Sequence, residues 1–536
     1  MSEHVFWADT VADDIEARDP TEPIVIKGGI SPSGVPHLGN ANEIVLGYFV
    51  AEVLRERGYE VRQIFTTDDR DPLRRLPRTL ADLDGELVGL GDVDASVLGT
   101  NLGKPYSVIP DPFGCCDSYA DHFTTLITAI ASDLSIPVDV VSTTELYASG
   151  TFDETIRSLL RNRSAARAVL AEYQSTVDTE YIPFKPHCAS CGKETRTITA
   201  VDADAGTVEY RCTDLAIGDQ TISGCGHEGT ATVREGKLPW RFEWVAQWKH
   251  LGVDFEPFGK DHAEGSWPSG VAIAETLLDT IPPVPYTYEW FTLDGEAFSS
   301  SSGHVLLVSD VLDFVEPAVL RYFFARDPSR SRDFSIERID QLVDEFDRLE
   351  AIALDRIEPT NTTEGELAER LYPFLVDQID PGRVRLPYRF AAVLGMSDDP
   401  DQWEAIARKE GHIPEDSTQE AVSVALERVS LARTWARHTD NEYNYELHRH
   451  SIPPVDIDET TATALATIAD AVASTDDGEV IQRAIYDAAR THGLDIGELF
   501  AVGYQLFLNR PDGPQLGPFL ASLDQEFVIN RLRRKA

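Results

Sequence analysis

A parallel α/β domain followed by an all-helical domain is the fold class this sequence predicts, and three observations predict it. Residues 24–65 read as strand, glycine turn, helix and strand, which is the βαβ unit of a parallel sheet. That alternation continues to residue 335 and then gives way to helical spacing alone. The length, 536 residues, exceeds what a single hydrophobic core sustains, so more than one domain is required.

The elements follow in order. Ile24–Ile30 (IVIKGGI) reads as a buried strand running into glycines. Residues 38–57 read as a helix, with Leu38, Ile44, Val45, Tyr48, Phe49 and Leu54 as its apolar positions and Gly58 as its stop. Val61–Phe65 is the next strand. Residues 184–236, rich in Cys, Gly and Thr with short β-like pieces such as Gly206–Tyr210, read as an insert, and the α/β pattern resumes at Lys237–Trp240. From Asp333 on, Ile336, Ile339, Leu342, Val343, Phe346 and Leu349 fall at helical spacing, and Pro359–Glu364 reads as a linker. Ser417 with Glu420 forms a capping-box signature ahead of Val422, Leu426 and Val429. Segments 460–474, 479–492 and 495–508 are further helices. The expected domains are 1–335, a connecting helix and linker at 336–364, and a helical domain at 365–536. No internal repeat is visible.

Composition narrows the function. The net charge is −44, and only nine lysines accompany 38 arginines. An overall basic nucleic-acid binder is excluded, although a confined basic face is not. Acidity spread over a folded, lysine-poor chain suits a protein kept soluble in multimolar salt, where the Debye length falls to about 3 Å at 1 M; an ordinary acidic protein is the competing account. The N-terminal MSEHVFWADT has no basic, apolar leader pattern, and the most apolar stretch, Ile44–Leu54, is far short of the ~20 residues a membrane span needs. A soluble, cytoplasmic protein with no membrane partner is expected.

Three separated motifs carry chemistry. The first is residues 28–40, GGISPSGVPHLGN, where glycines let backbone approach a ligand and the following helix start aims N–H groups at it. A bare glycine turn with a surface His37 is the alternative. The second is residues 257–262, PFGKDH, after the aromatic run Trp240, Phe242, Trp244 and Trp248. A carboxylate at a strand end in such a domain often bonds a ribose hydroxyl, and a polar loop is its alternative. The third is residues 294–303, DGEAFSSSSG, whose hydroxyls and amides could cradle phosphates or form a flexible linker.

Together these motifs resemble the class I aminoacyl-tRNA synthetases, most closely the class I lysyl-tRNA synthetases. His37-Leu38-Gly39-Asn40 matches the family's HIGH-type signature in its His-x-Gly-Asn form. Gly259–His262 resembles its second nucleotide-side motif, and Ala297–Gly303 aligns with its Lys-Met-Ser-Ser-Ser-Lys-Gly loop. The resemblance covers nearly the whole chain. It implies a Rossmann-like class I synthetase catalytic domain with an inserted zinc module and a helical anticodon-binding domain. The activity implied is activation of L-lysine with ATP and Mg²⁺, then transfer to the terminal 2′-hydroxyl of tRNA(Lys), by a chain expected to be a monomer. His37 and Asn40, with Ser301 and Ser302, would act on the ATP phosphates. Pro32, Gly39, Gly259, Asp261, Ser299 and Ser300 would complete the nucleotide site, while Gly29, Ser31, Trp240, His262 and Tyr288 would line the lysine pocket. Neither a glutamyl-type synthetase nor a degenerate tRNA-binding paralogue is removed by sequence alone.

One departure stands out. Ala297 and Ser302 occupy the places of both loop lysines, and Phe298 that of methionine. Losing one transition-state donor costs about 2.7–4 kcal/mol. Serine hydroxyls, Mg²⁺ or the downstream Arg321, Arg326, Arg330 and Arg332 are the candidates to replace them.

Cys188-x₂-Cys191 with Cys212 and Cys225 has the composition of a closed Cys₄ zinc site that would fold an insert with little core of its own; free thiols or a redox pair are the alternatives, and His227 is a substitute ligand. Cys115, Cys116 and His122 are expected to be buried packing, since adjacent cysteines ligate one ion poorly. Arginines cluster at Arg70, Arg74, Arg75 and Arg78 and at residues 531–535. Arg433, Arg437, His448, Arg449 and His450 accompany Trp435, Tyr443 and Tyr445. Arginine with aromatics suits RNA phosphates and unstacked bases, and equally a solvated face paired with carboxylates.

Overall fold

The computed structural model describes residues 4–175, 177–218, 220–298, 305–396 and 400–534. The chain forms two compact units: Met1–Val311 with Pro317–Ser335 and Leu349–Gln378, and Leu312–Glu316 with Ile336–Arg348 and Ile379–Ala536. The helix Thr362–Leu375, expected with the helical domain beyond residue 364, falls in the first unit.

The first unit is organised by a five-stranded parallel sheet. Its strands are β1 (Ile24–Ile30), β2 (Val61–Thr67), β3 (Asp139–Ser142), β4 (Val253–Gly259) and β5 (Val284–Tyr288), in the order β5-β4-β1-β2-β3. The central β1 is buried on both faces over Ile24–Gly28, which its unbroken apolar start requires. The reason for its terminal glycines is geometric: a side chain on Gly28 would strike the backbone carbonyl of Glu43, and one on Gly29 the hydroxyl of Thr66. Their absence lets helix α1 (Asn42–Glu56) lie against the strand end, where Gln63 donates to the Ile44 carbonyl at 2.7 Å. The expected helix from residue 38 begins instead with a 3₁₀ turn, Leu38–Ala41.

The insert folds as short antiparallel pieces, chiefly a three-stranded sheet of Thr197–Asp202, Thr207–Arg211 and Glu228–Thr232. It returns to the sheet through Gly236–Lys237 and helix α2 (Trp240–Leu251), which ends on left-handed Gly252.

The second unit is helical. Asp458, Asp477, Asp495 and Asp524 each cap a helix by accepting backbone N–H bonds, so part of the acidic excess does structural work at helix starts. The capping residue at the start of Gln419–Thr439 is Thr418 rather than Ser417. Ser417 is engaged in a turn with Pro414, and the Thr418 hydroxyl accepts from Ala421 N–H at 3.2 Å. Buried Arg428 from this helix bonds Glu316, Asp347 and the Leu386 carbonyl. Several residues offered above for RNA are core: Arg433, Trp435, Tyr445 and Arg531 are buried, and the Trp435 indole donates to the Ile336 carbonyl. Arg437 and His450 remain exposed. Among the described residues, no helix is long and apolar enough to cross a membrane.

Candidate functional site

The ends of β1, β4 and β5 bring the first two motifs together. His37 donates its backbone N–H to Asn40 Oδ1 at 2.9 Å, and Asn42 Nδ2 bonds the Gly39 carbonyl at 3.1 Å, so the His-x-Gly-Asn turn is closed by its own side chains. A Cβ at Gly39 would stand 2.9 Å from the His37 ring, which is why the position has no side chain. The His37 ring stacks on Phe298 with centroids 5.1 Å apart. Burial pulls its pKa down to about 4, leaving a neutral imidazole whose Nδ1 is buried and without a partner among the described residues.

A second cluster lies across the ends of β1, α1 and β5. The Tyr288 hydroxyl donates to Glu43 Oε1 at 2.5 Å. Burial is the chief cause that raises the Glu43 carboxyl to about 7, with nearby Glu256 adding to it. Glu256 itself is fully committed, accepting from Lys27 at 2.5 Å and from the indoles of Trp244 and Trp248 at 2.9 and 2.5 Å. Beside Tyr288, Gly259 leaves room for Asp261, which is exposed and lies 3.6 Å from His262. His262 faces Trp240 at 5.7 Å, and Trp240, one third exposed, stacks on Trp244 at 4.9 Å. The Glu43 carboxylate carried no motif of its own; only its place in the first turn after the His-x-Gly-Asn segment could have marked it.

Ser31 belongs to a third, connected network. Its hydroxyl donates to Asp71 at 2.5 Å, and Asp71 also accepts from buried Lys237, which bonds Glu243 at 3.0 Å. Glu243 accepts from the Tyr147 hydroxyl at 2.5 Å. The carboxylates raise the Lys237 pKa against the opposing effect of its burial, keeping it charged. A cavity of about 820 Å³ opens next to this network, lined in part by Pro36, His37, Asn40, Asp71, Arg74 and Arg78. Pro32 is buried beside it.

Ser299, Ser300, Ser301 and Ser302 lie outside the described residues; Ala297, just before them, pairs with Thr292 in a short hairpin. Two of the arginines offered as replacements for the loop lysines do other work. Arg321 bonds the Leu134 and Leu375 carbonyls and Asp377, and Arg332 is buried against the Phe323 carbonyl, its pKa lowered by that burial to about 10.

The four insert cysteines converge. Cys188 and Cys225 sulfurs are 3.6 Å apart, Cys191 and Cys212 3.7 Å, and all four lie within 4.8 Å of one another. The edge of a tetrahedron with zinc–sulfur bonds of ~2.3 Å is ~3.8 Å, so these residues fit the ion. The His227 side chain stays outside the group, its backbone carbonyl accepting from Cys212 N–H at 2.8 Å. The buried packing expected for Cys115, Cys116 and His122 is found for His122, which is fully buried and stacked on Phe113 at 4.6 Å, but Cys115 is exposed and Cys116 half-buried. With Asp111 they form a second convergent set, Cys115 Sγ being 3.3 Å from His122 Nδ1 and 3.2 Å from Asp111 Oδ2. Adjacent cysteines can join one set here because three backbone N–H groups fold the loop around Asp111, while His122 Nε2 is held by the Ala81 carbonyl at 2.9 Å.

A parallel α/β sheet with a histidine-glycine-asparagine turn at its ligand end and a helical second unit defines a class I synthetase fold. The family model for class I (K) tRNA synthetases matches residues 5–374, and the chain belongs to that family. It is 63% identical to the lysine–tRNA ligase of Halobacterium salinarum over 535 residues, covering 100% of this chain and 98% of that one. It is 62% identical to that of Haloarcula marismortui over 529 residues, covering 99% and 97%, and 33% identical to that of Pyrococcus horikoshii over 551 residues, covering 99% of each.

Proposed function

We propose that the chain is a lysine–tRNA ligase in which the Glu43–Tyr288 pair reads the substrate side chain. The observation that carries this reading is a buried carboxylate held by the Tyr288 O–H just after the His-x-Gly-Asn turn, in a chain similar along its whole length to lysine–tRNA ligases. An ammonium entering here would meet an acceptor already oriented by the Tyr288 hydroxyl. Glu256 is not the reader, because its oxygens are occupied by Lys27 and two indoles.

In the first step a lysine carboxylate oxygen bonds the ATP α-phosphorus, and the bond to the bridging oxygen breaks to release pyrophosphate. In the second, the terminal adenosine 2′-oxygen bonds the activated carbonyl carbon, losing its proton as AMP leaves. The chain contributes positioning and charge. The neutral His37 imidazole donates one hydrogen bond to a phosphoryl oxygen, Asn40 fixes the turn, and Asp261 beside Gly259 takes the ribose. Pro32, Gly39 and Ser299–Ser302 complete the nucleotide side. Mg²⁺ would neutralise triphosphate charge when bound. Cys188, Cys191, Cys212 and Cys225 would hold a structural zinc with all four positions filled, and Asp111, Cys115, Cys116 and His122 would offer a second set of donors to a transition-metal ion.

Exchange of pyrophosphate into ATP, measured with each amino acid, with and without tRNA and in high KCl, tests the assignment. Lysine-dependent exchange is expected; exchange with glutamate instead, or with none, overturns it.

A further inference from the structure

The strand that closes the insert reaches the wall of the cavity. Gly236–Lys237 pairs antiparallel with Lys185–Pro186, and His187 N–H, one residue before Cys188, bonds the Glu235 carbonyl at 2.8 Å. This two-strand base and the loop after β2 grip each other from both directions. The Arg70 guanidinium donates to the Gly236 carbonyl at 2.9 Å and to that of Arg234 at 2.5 Å. The buried Lys237 ammonium donates in return to Asp71 and, at 3.0 Å, to Glu243. Position 236 has no room for a side chain, since a Cβ there would stand 2.5 Å from the Lys185 carbonyl oxygen. The base of the insert therefore sets where Lys237 sits.

Asp71 passes this arrangement on to Ser31. Burial pushes the Asp71 carboxyl up, but the charge of Lys237 and the hydrogen bonds from Lys237 and Ser31 outweigh it and hold the group below the usual carboxylate range; the exposed Arg74 adds to that field. An ionised carboxylate can only accept. The Ser31 hydroxyl, donating to Asp71 Oδ2 at 2.5 Å, has thus committed its single proton, and what remains on Oγ is acceptor capacity. Ser31 and Asp71 both line the cavity that His37 and Asn40 border. An acceptor-only oxygen suits an ammonium, which carries three donors and no acceptor, and it offers nothing to a carboxylate.

We propose that Lys237 and Asp71 are positioning residues for the amino-acid site, acting through Ser31, whose hydroxyl oxygen they hold as an acceptor for an ammonium group of the bound amino acid. The inference rests on the reading of this site as a lysine site, and it adds a second acceptor to Glu43 for a substrate that has two ammonium groups.

The test compares wild type with S31A, D71N and S31A/D71N, by lysine-dependent pyrophosphate exchange and by calorimetric binding of lysine at fixed KCl. An Asn at position 71 keeps the shape of Asp; with its oxygen turned to Lys237, its NH₂ faces Ser31 and displaces the hydroxyl proton. D71N should therefore raise KM and Kd for lysine about tenfold, with KM for ATP near wild type. In the S31A background the same change should add nothing, because the group it acts through is gone. K237M, read in both backgrounds, tests the far end of the network, and nearly isosteric D71N still decides the matter if K237M does not fold. Losses that multiply in the double variants, KM for ATP rising in step, or unchanged lysine binding overturns the proposal. Competition by 6-aminohexanoate, which lacks the α-ammonium, and by norleucine, which lacks the side-chain one, is measured in wild type and S31A. The competitor that S31A leaves unaffected lacks the ammonium that Ser31 accepts from; equal weakening of both overturns the ammonium assignment. Absence of lysine-dependent exchange in wild type overturns the underlying reading instead.

Discussion

The Tyr288 hydroxyl and the Glu43 carboxylate, 245 residues apart in sequence, meet at 2.5 Å where the ends of β5 and α1 converge. The contact turns a carboxylate on the first turn of a helix into a fixed acceptor. Glu43→Gln is expected to raise KM for lysine roughly 100-fold, since removing one partner of a desolvated charge pair costs about 2–5 kcal/mol. KM for ATP should stay near wild type. Equal loss for both substrates in steady-state kinetics would place Glu43 elsewhere in the cycle. Tyr288→Phe should show a smaller rise in KM for lysine of the same kind.

Glu43 and Asp68 are both raised by burial to about 7, from ordinary values of 4.5 and 3.8. A carboxyl raised on folding stabilises the fold below its unfolded value and loses that contribution as pH climbs to the folded one. The ligand-free protein is therefore expected to lose stability between about pH 4 and pH 7, measured as the denaturation midpoint in constant KCl. Lysine affinity should run the other way, improving as pH rises through 7, because the ammonium needs Glu43 ionised. A flat affinity profile across that window would contradict the assignment.

Lys237 joins Asp71 and Glu243 in a buried cluster. Lys237→Met strands two carboxylates and should destabilise the first unit by about 3–5 kcal/mol, read as a drop in denaturation midpoint. Replacing Lys237 and Glu243 together should recover part of the loss, because fewer uncompensated charges are left.

Metal analysis of the purified chain should find zinc. Cys188→Ser should remove one equivalent and expose the 184–236 module to protease, while the sheet keeps its circular dichroism. Cys115→Ser should remove a separate equivalent without opening that module. If both variants lose the same ion, the two cysteine sets are not independent centres.

How far the sequence could be read depended on where each feature takes its cause. The β1 strand, the turn of His37 to Asn40 and the four insert cysteines are local patterns, and their physical requirements show in adjacent letters. Glu43 was not legible, because what makes it special is a tyrosine from a strand 245 residues away. Asp111 escaped for a similar reason: its loop turns three N–H groups inward, and nothing in the spacing of Cys115 and Cys116 announces that. Arg433 and Trp435 misled in the opposite direction, since arginine beside an aromatic looks like an RNA surface until burial is known. The cap at Thr418 differs by one residue from the expected Ser417, a shift set by the turn to Pro414.

The column of indoles on α2 has a further consequence. Trp240, Trp244 and Trp248 recur every four residues, the first stacked on the second at 4.9 Å and the second against the third at the same distance. His262 packs against both Trp240 and Trp244, at 5.7 and 5.8 Å, but of the three indoles only Trp240 meets solvent. Its emission is therefore tied to what enters the pocket, while its inner neighbours supply a steady background. On the proposed reading of the lysine pocket, Trp240 is a native optical reporter, so occupancy should be readable by intrinsic fluorescence with no label, in any salt concentration the enzyme tolerates.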